Sequence, residues 1–93
     1  MRYVVNEDVY DVEVGDYVYY ARALDSLNIF EVVEYKVRTV DADYFAGLSM
    51  DSSATLFSPS DIGKTVFFNQ KDAQDAVNAR KDKGLHIVNV EEE

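Results

Sequence analysis

The sequence predicts an α+β domain, mainly β, in which a small curved antiparallel sheet or barrel carries one C-terminal helix and a final short strand. Three observations predict it. Period-two alternation of apolar and polar residues recurs through the first two-thirds of the chain. Helical spacing with a capping signal occurs once, after Asn69. The length of 93 residues, with 47% apolar content, suits a single globular domain, 1–93.

Taken in order, Val9, Val12 and Val14 lead into Gly15-Asp16, a turn signal, and Tyr17–Arg22 follows as a strand. From Phe30 to Val40 the alternation is clear: Val33, Tyr35, Val37 and Thr39 point one way, and Glu34, Lys36 and Arg38 the other. A turn carrying Asp41 and Asp43 precedes a third strand, Tyr44–Met50, and shorter strands are predicted at Ala54–Phe57 and Thr65–Phe68. The helix is predicted over Gln70–Lys83. Asn69 is its cap, Asp72 takes the reciprocal capping-box place, and Ala73, Ala76 and Val77 form one apolar face. An Ala face lets a helix lie close against a sheet. Arg80, Lys81 and Lys83 suit the negative end of the helix dipole, and Gly84 suits the left-handed position that ends a helix. Leu85–Val90 then reads as the final strand and Glu91–Glu93 as a tail. Short strands with one late helix define a small SH3-like barrel or an α+β roll.

Two segments carry a resemblance. Val14-Gly15-Asp16-Tyr17-Val18-Tyr19 resembles the opening of many SH3-like barrels, in which a Gly-Asp turn feeds the first long strand. Asp61-Ile62-Gly63-Lys64-Thr65-Val66-Phe67-Phe68, followed by Ala73 and Ala76, resembles the tail of small uncharacterised Firmicutes and prophage proteins. Those end in a Gly-Lys-Thr-Val-Phe strand and an Ala-rich helix. The resemblance implies a fold and a mobile-element setting, with no catalytic residues to carry over. Gly63-Lys64-Thr65 is not a phosphate loop: the upstream glycine it would need is Ser58, and a strand follows where a helix should.

Composition excludes much chemistry. Without Cys there is no disulfide framework, zinc-thiolate site or thiol nucleophile. The N-terminus turns acidic before any signal-peptide-like run, and no apolar stretch is long enough to span a membrane, so the expected setting is cytoplasmic. A net charge of -9 disfavours nucleic acid and anionic membranes as direct partners.

Catalytic readings are thin. His86 is the one imidazole; Ser49, Ser52, Ser53, Ser58 and Ser60 are among the candidate nucleophiles for it, and no nucleophile-elbow pattern surrounds them. Beside Leu85 and Ile87 it reads as an ordinary strand residue. The paired acids Asp41 and Asp43 depart from a calcium loop after two positions, and so short a chain leaves little cleft between carboxylates for a sugar. No cofactor or metal is expected, and a small hydrolase is a secondary alternative.

The distribution of acids says more. Residues 1–61 hold 12 acids against 4 bases, whereas residues 62–93 hold 6 against 5. Carboxylates on a rigid sheet can stand in for a phosphate backbone; equally, an acidic surface can simply keep a small domain soluble. Tyr17, Tyr19 and Tyr20 are adjacent, and alternation sends Tyr17 and Tyr19 to one face and Tyr20 to the other. Tyr on an exposed face is a common interface residue.

These observations lead to a non-enzymatic acidic protein-binding module whose partner is a basic protein surface. Combined with the resemblance, the sharper expectation is a phage-type inhibitor of a nucleic-acid-binding host protein, such as an anti-CRISPR acting on a nuclease. The expected contact residues are Glu7, Asp8, Asp11, Glu13, Asp16, Tyr17, Tyr19, Glu31 and Glu34. The chain is expected to be a monomer or a weak homodimer. The structural alternative is a regulatory barrel that self-associates through exposed strand edges.

Overall fold

The computed structural model describes the backbone of residues 1–92 and the side chains of residues 1–82. It begins with a hairpin, β1 (Arg2–Val5) and β2 (Asp8–Asp11), which pair Val5 with Asp8 across the two-residue turn Asn6-Glu7. Both turn residues sit at positive φ, 49° and 74°, as a type I′ turn requires. Sequence reasoning missed this hairpin because Glu replaces the glycine that usually marks such a turn.

A five-stranded antiparallel sheet comes next, made of β3 (Tyr17–Leu24), β4 (Ile29–Val40), β5 (Phe45–Ser49), β6 (Ala54–Phe57) and β7 (Val66–Phe67). The spatial order is β6-β5-β4-β3-β7, and the sheet curls into a half-barrel, the mainly-β architecture that the alternation predicts. Short 3₁₀ turns at Asp25–Leu27 and Pro59–Asp61 link β3 to β4 and β6 to β7.

Alternation assigns the two faces. Val18 and Tyr20 of β3 and Val33, Tyr35 and Val37 of β4 face inward, where Phe45, Phe57, Ile62 and Val66 join them. The hairpin covers this side, sending Tyr3 and Tyr10 into the same cluster. Tyr3 is 4% exposed, and its hydroxyl lies 2.6 Å from the Asp41 carbonyl and 2.9 Å from the Tyr44 carbonyl. The first strand is thereby tied to the β4–β5 turn.

One expected inward residue moves. The register shifts between Val37 and Thr39, so the bulge leaves Thr39 exposed and packs Val40 against the core instead.

On the opposite face lies α1 (Gln70–Glu92), in contact with β3, β4 and β7. The Asn69 side chain accepts the Asp72 N–H at 2.8 Å, the expected cap. The Asp72 carboxylate reaches only the Asn69 side-chain amide, at 2.9 Å, being shorter than the Glu of a full capping box. Ala73 and Val77 are fully buried yet stand apart from the aromatic core, which makes a second, thinner apolar layer under the helix. Arg80 donates to Asp25 at 2.7 Å and fixes the helix to the β3–β4 turn.

The final strand expected at Leu85–Val90 is corrected, because α1 continues through it. A glycine inside a helix costs only about 1 kcal/mol relative to alanine. That is too little for Gly84 to end α1 when no sheet edge receives the residues beyond it. The side chains from Lys83 onward, His86 included, lie outside the described residues.

The packing makes two stability predictions. A Cβ on Gly47 would stand 2.8 Å from Tyr35 Cβ, on the neighbouring strand; Gly47→Ala should therefore lower urea-unfolding stability by about 1–3 kcal/mol, and unchanged stability would contradict this close approach. Burial pushes the Tyr3 phenol above its ordinary value of 10.0. The folded state thus holds that proton more tightly than the unfolded state. The resulting stability is complete below pH 10.0 and is lost as pH rises through the raised value. Tyr3→Phe should cost about 1–2 kcal/mol near neutrality and flatten the alkaline loss of stability, measured by urea unfolding across that range.

Candidate functional site

The structure distributes the predicted contact residues over three places. Glu7 occupies the exposed tip of the β1–β2 hairpin, and Asp8 opens β2 beside it. Asp11 is the cross-strand partner of Arg2, with 3.7 Å between the charged groups. Glu13 lies beyond β2, 2.8 Å from the Met1 ammonium, and Asp16 accepts the Glu13 N–H at 2.9 Å to close the turn into β3. Asp11 and Glu13 do flank the buried Val12, but both carboxylates meet a cation of the chain itself.

Tyr17, Tyr19 and Glu34 share the outer sheet face. In register, Tyr17 stands opposite Lys36 and Tyr19 opposite Glu34. The Lys36 ammonium sits 5.9 Å from the centre of the Tyr17 ring, a cation–π contact, and Tyr17 remains 50% exposed. Hydrogen bonding with Glu34 raises the Tyr19 phenol above 10.0, because the neighbouring carboxylate disfavours a second anion.

Glu31 belongs to the other face. Three positions from Glu34 on an extended strand, it points into the concave side and binds Arg22 at 3.0 Å. There the curl of the sheet leaves an open groove of about 830 Å³, bordered by Tyr20, Arg22, Glu31, Val33, Tyr35 and Thr55 among others. Tyr20, Tyr35 and Phe57 pack edge to face beneath it, with ring centres 5.2 to 6.5 Å apart. The Tyr35 hydroxyl accepts from Thr55 Oγ1 at 3.0 Å. At the rim, the Ser49 hydroxyl and then Ser53 hydrogen-bond to Asp51, holding its carboxyl below the ordinary 3.8. Sequence reasoning missed this groove, although Tyr20 facing away from Tyr17 and Tyr19 was its signal.

The electrostatics are uneven. Ion pairs engage Asp11, Glu13, Asp25, Glu31 and Asp75, whereas Glu7, Asp8, Asp16, Glu34, Asp41, Asp43, Asp51, Asp61, Asp72 and Asp82 have none among the described residues. Of these, Glu7 and Asp8 lie on the hairpin and Asp41, Asp43 and Asp61 in turns beside it: Tyr3 joins β1 to Asp41 and Tyr44, and β1 contacts the Pro59–Asp61 turn. Val4 and Val9, cross-strand partners on the hairpin's outward side, are 69% and 56% exposed, between the Glu7–Asp8 tip and the Arg2–Asp11 pair.

Among the described residues, no group of His, Asp and Glu side chains is placed to hold a metal ion, and no helix is long and apolar enough to cross a membrane. Comparison with protein-family models, curated proteins and solved structures gives no match to this chain.

The face assignment predicts a spectroscopic difference. Glu34→Gln should return the Tyr19 phenol towards 10.0, whereas Glu31→Gln, on the opposite face, should leave it unmoved. Ultraviolet titration of the two variants reads this directly, and an equal response to both would overturn the assignment.

Proposed function

We propose that this protein is a non-enzymatic acidic binding module that docks on a basic protein surface through the hairpin side of its barrel. The observation that carries the reading is the set of carboxylates without an ion pair among the described residues on that side, Glu7 and Asp8 at the hairpin tip and Asp41, Asp43 and Asp61 in the turns next to it, together with the exposed Val4 and Val9. Exposed acids without partners steer a cationic surface into place, and the two valines supply a small apolar contact that charge alone lacks. A nuclease or other nucleic-acid-binding protein presents such a surface. The resemblance of the Asp61–Phe68 segment to mobile-element proteins makes an inhibitor of such a host protein, an anti-CRISPR for example, the specific form of this proposal.

The test is capture from host lysate on the immobilised protein at low and moderate salt. A basic nucleic-acid-binding protein should be retained at low salt, released as salt rises and displaced by nucleic acid. The double variant Glu7→Lys/Asp8→Lys should reduce its retention about tenfold or more, on the scale of rim charges in steered complexes. Retention unaffected by salt and by the double variant would overturn the reading.

A further inference from the structure

Every sheet must deal with its edges, and this one deals with them unequally. An open edge exposes a row of unpaired N–H and C=O groups, which soluble proteins usually blunt with charge, a bulge, proline or shortness. At one end β7 is only two residues long and lies against α1. The β1–β2 hairpin carries Arg2, Glu7, Asp8 and Asp11 along its length. At the other end β6 is hydrogen-bonded to β5 alone; at four residues it is twice the length of β7, and neither charge, bulge nor proline lies along it. Ser52–Ser60 contain no charged residue in a chain that is 29% charged, and Pro59 falls after the strand. Leu56, in the middle of β6, is 70% exposed.

The ladder fixes which groups are free. The Ser49 N–H donates to the Ser53 carbonyl at 2.9 Å, so alternation turns the backbone of Thr55 and Phe57 towards β5 and that of Ala54 and Leu56 outward. We infer that two copies of this chain associate by pairing their β6 strands antiparallel about a two-fold axis through Thr55.

In that register Ala54 of one copy faces Leu56 of the other, and each such pair exchanges both N–H···O=C bonds. Thr55 falls at the non-hydrogen-bonded position on the axis. The register is self-complementary, as a two-fold interface requires. It also keeps faces matched: Leu56 packs on the partner's Ala54 on the outer side, and the two Thr55 side chains meet on the concave side. Because Thr55 borders the groove, the two grooves join across the axis into one channel.

Charge selects a second copy over other occupants. Copies that each carry -9 repel wherever acids face each other, and the uncharged Ser52–Ser60 segment is where they can approach. A basic partner, by contrast, finds no carboxylate on this strand to bind. So short an interface makes a weak dimer in rapid exchange. This inference stands apart from the proposed function, since it uses none of the hairpin acids.

Sedimentation over a concentration series, paired with amide hydrogen exchange, tests it. The average mass should climb from 10.6 kDa towards twice that value as concentration rises. Exchange at the Ala54 and Leu56 amides should slow by about tenfold over the same range, while the Thr55 amide, already bonded within the sheet, should not respond. Leu56→Lys should hold the mass at the monomer value with an unchanged circular dichroism spectrum, and Ala54→Lys, at the same edge, serves if that variant does not fold. A mass that stays monomeric throughout would overturn the inference, as would undiminished dimerisation by a folded edge variant or exchange protection that ignores concentration.

Discussion

The β3–β4 ladder is the constraint on which the rest of this structure depends. It runs from Tyr17 opposite Lys36 to Leu24 opposite Ile29, the longest pairing in the molecule. β5 and β7 add to its two sides, and α1 packs across its outer face. The hairpin core residues Tyr3 and Tyr10 meet Val18 and Tyr35 on the inner one. Where the helix covers them, both strands are therefore apolar on two faces, with Tyr20 and Tyr35 inward and small residues such as Ala21 and Ala23 on the helix side. That demand explains why the alternation in β4 is clean at Glu34–Arg38 and fades at Val32-Val33, where both faces are covered.

Local signals were the legible ones. Alternation placed Tyr35 and Val37 inward, and Asn69 with Asp72 located the helix start, because each depends on residues a few places apart. The failures all involve information outside such a window. Nothing in Asn6-Glu7 announces a left-handed turn, since its conformation is imposed by the pairing of Tyr3 with Tyr10 and by what those side chains bury. The bulge that exchanges Thr39 for Val40 is set by the partner strand β5. Gly84 carried a stop signal that nothing beyond it enforced.

The candidate site was legible to a lesser degree, for a related reason. Counting acids found the charged part of the chain, but strand parity and cross-strand partners decide what each acid can do. Glu31 and Glu34, near in sequence, serve opposite faces. Asp11 is occupied by Arg2 only because the hairpin register brings them together. Among the described residues, carboxylates without an ion pair include those at the hairpin tip and in the turns beside it, while Ser52–Ser60 along the far sheet edge carry no charge.

The shortness of β7 also bears on how the chain reaches this state. The turns from β3 through β6 join strands that are neighbours in both sequence and space, so that meander can assemble by successive local closures. β7 is different: Val66 must find Tyr20 across the whole of the intervening meander. That loop is closed late and rewarded by only two ladder positions, with α1 docking behind it. The β3–β7 pairing is therefore the shortest in the sheet, and its loss would uncover Val18 without unmaking the β3–β6 meander.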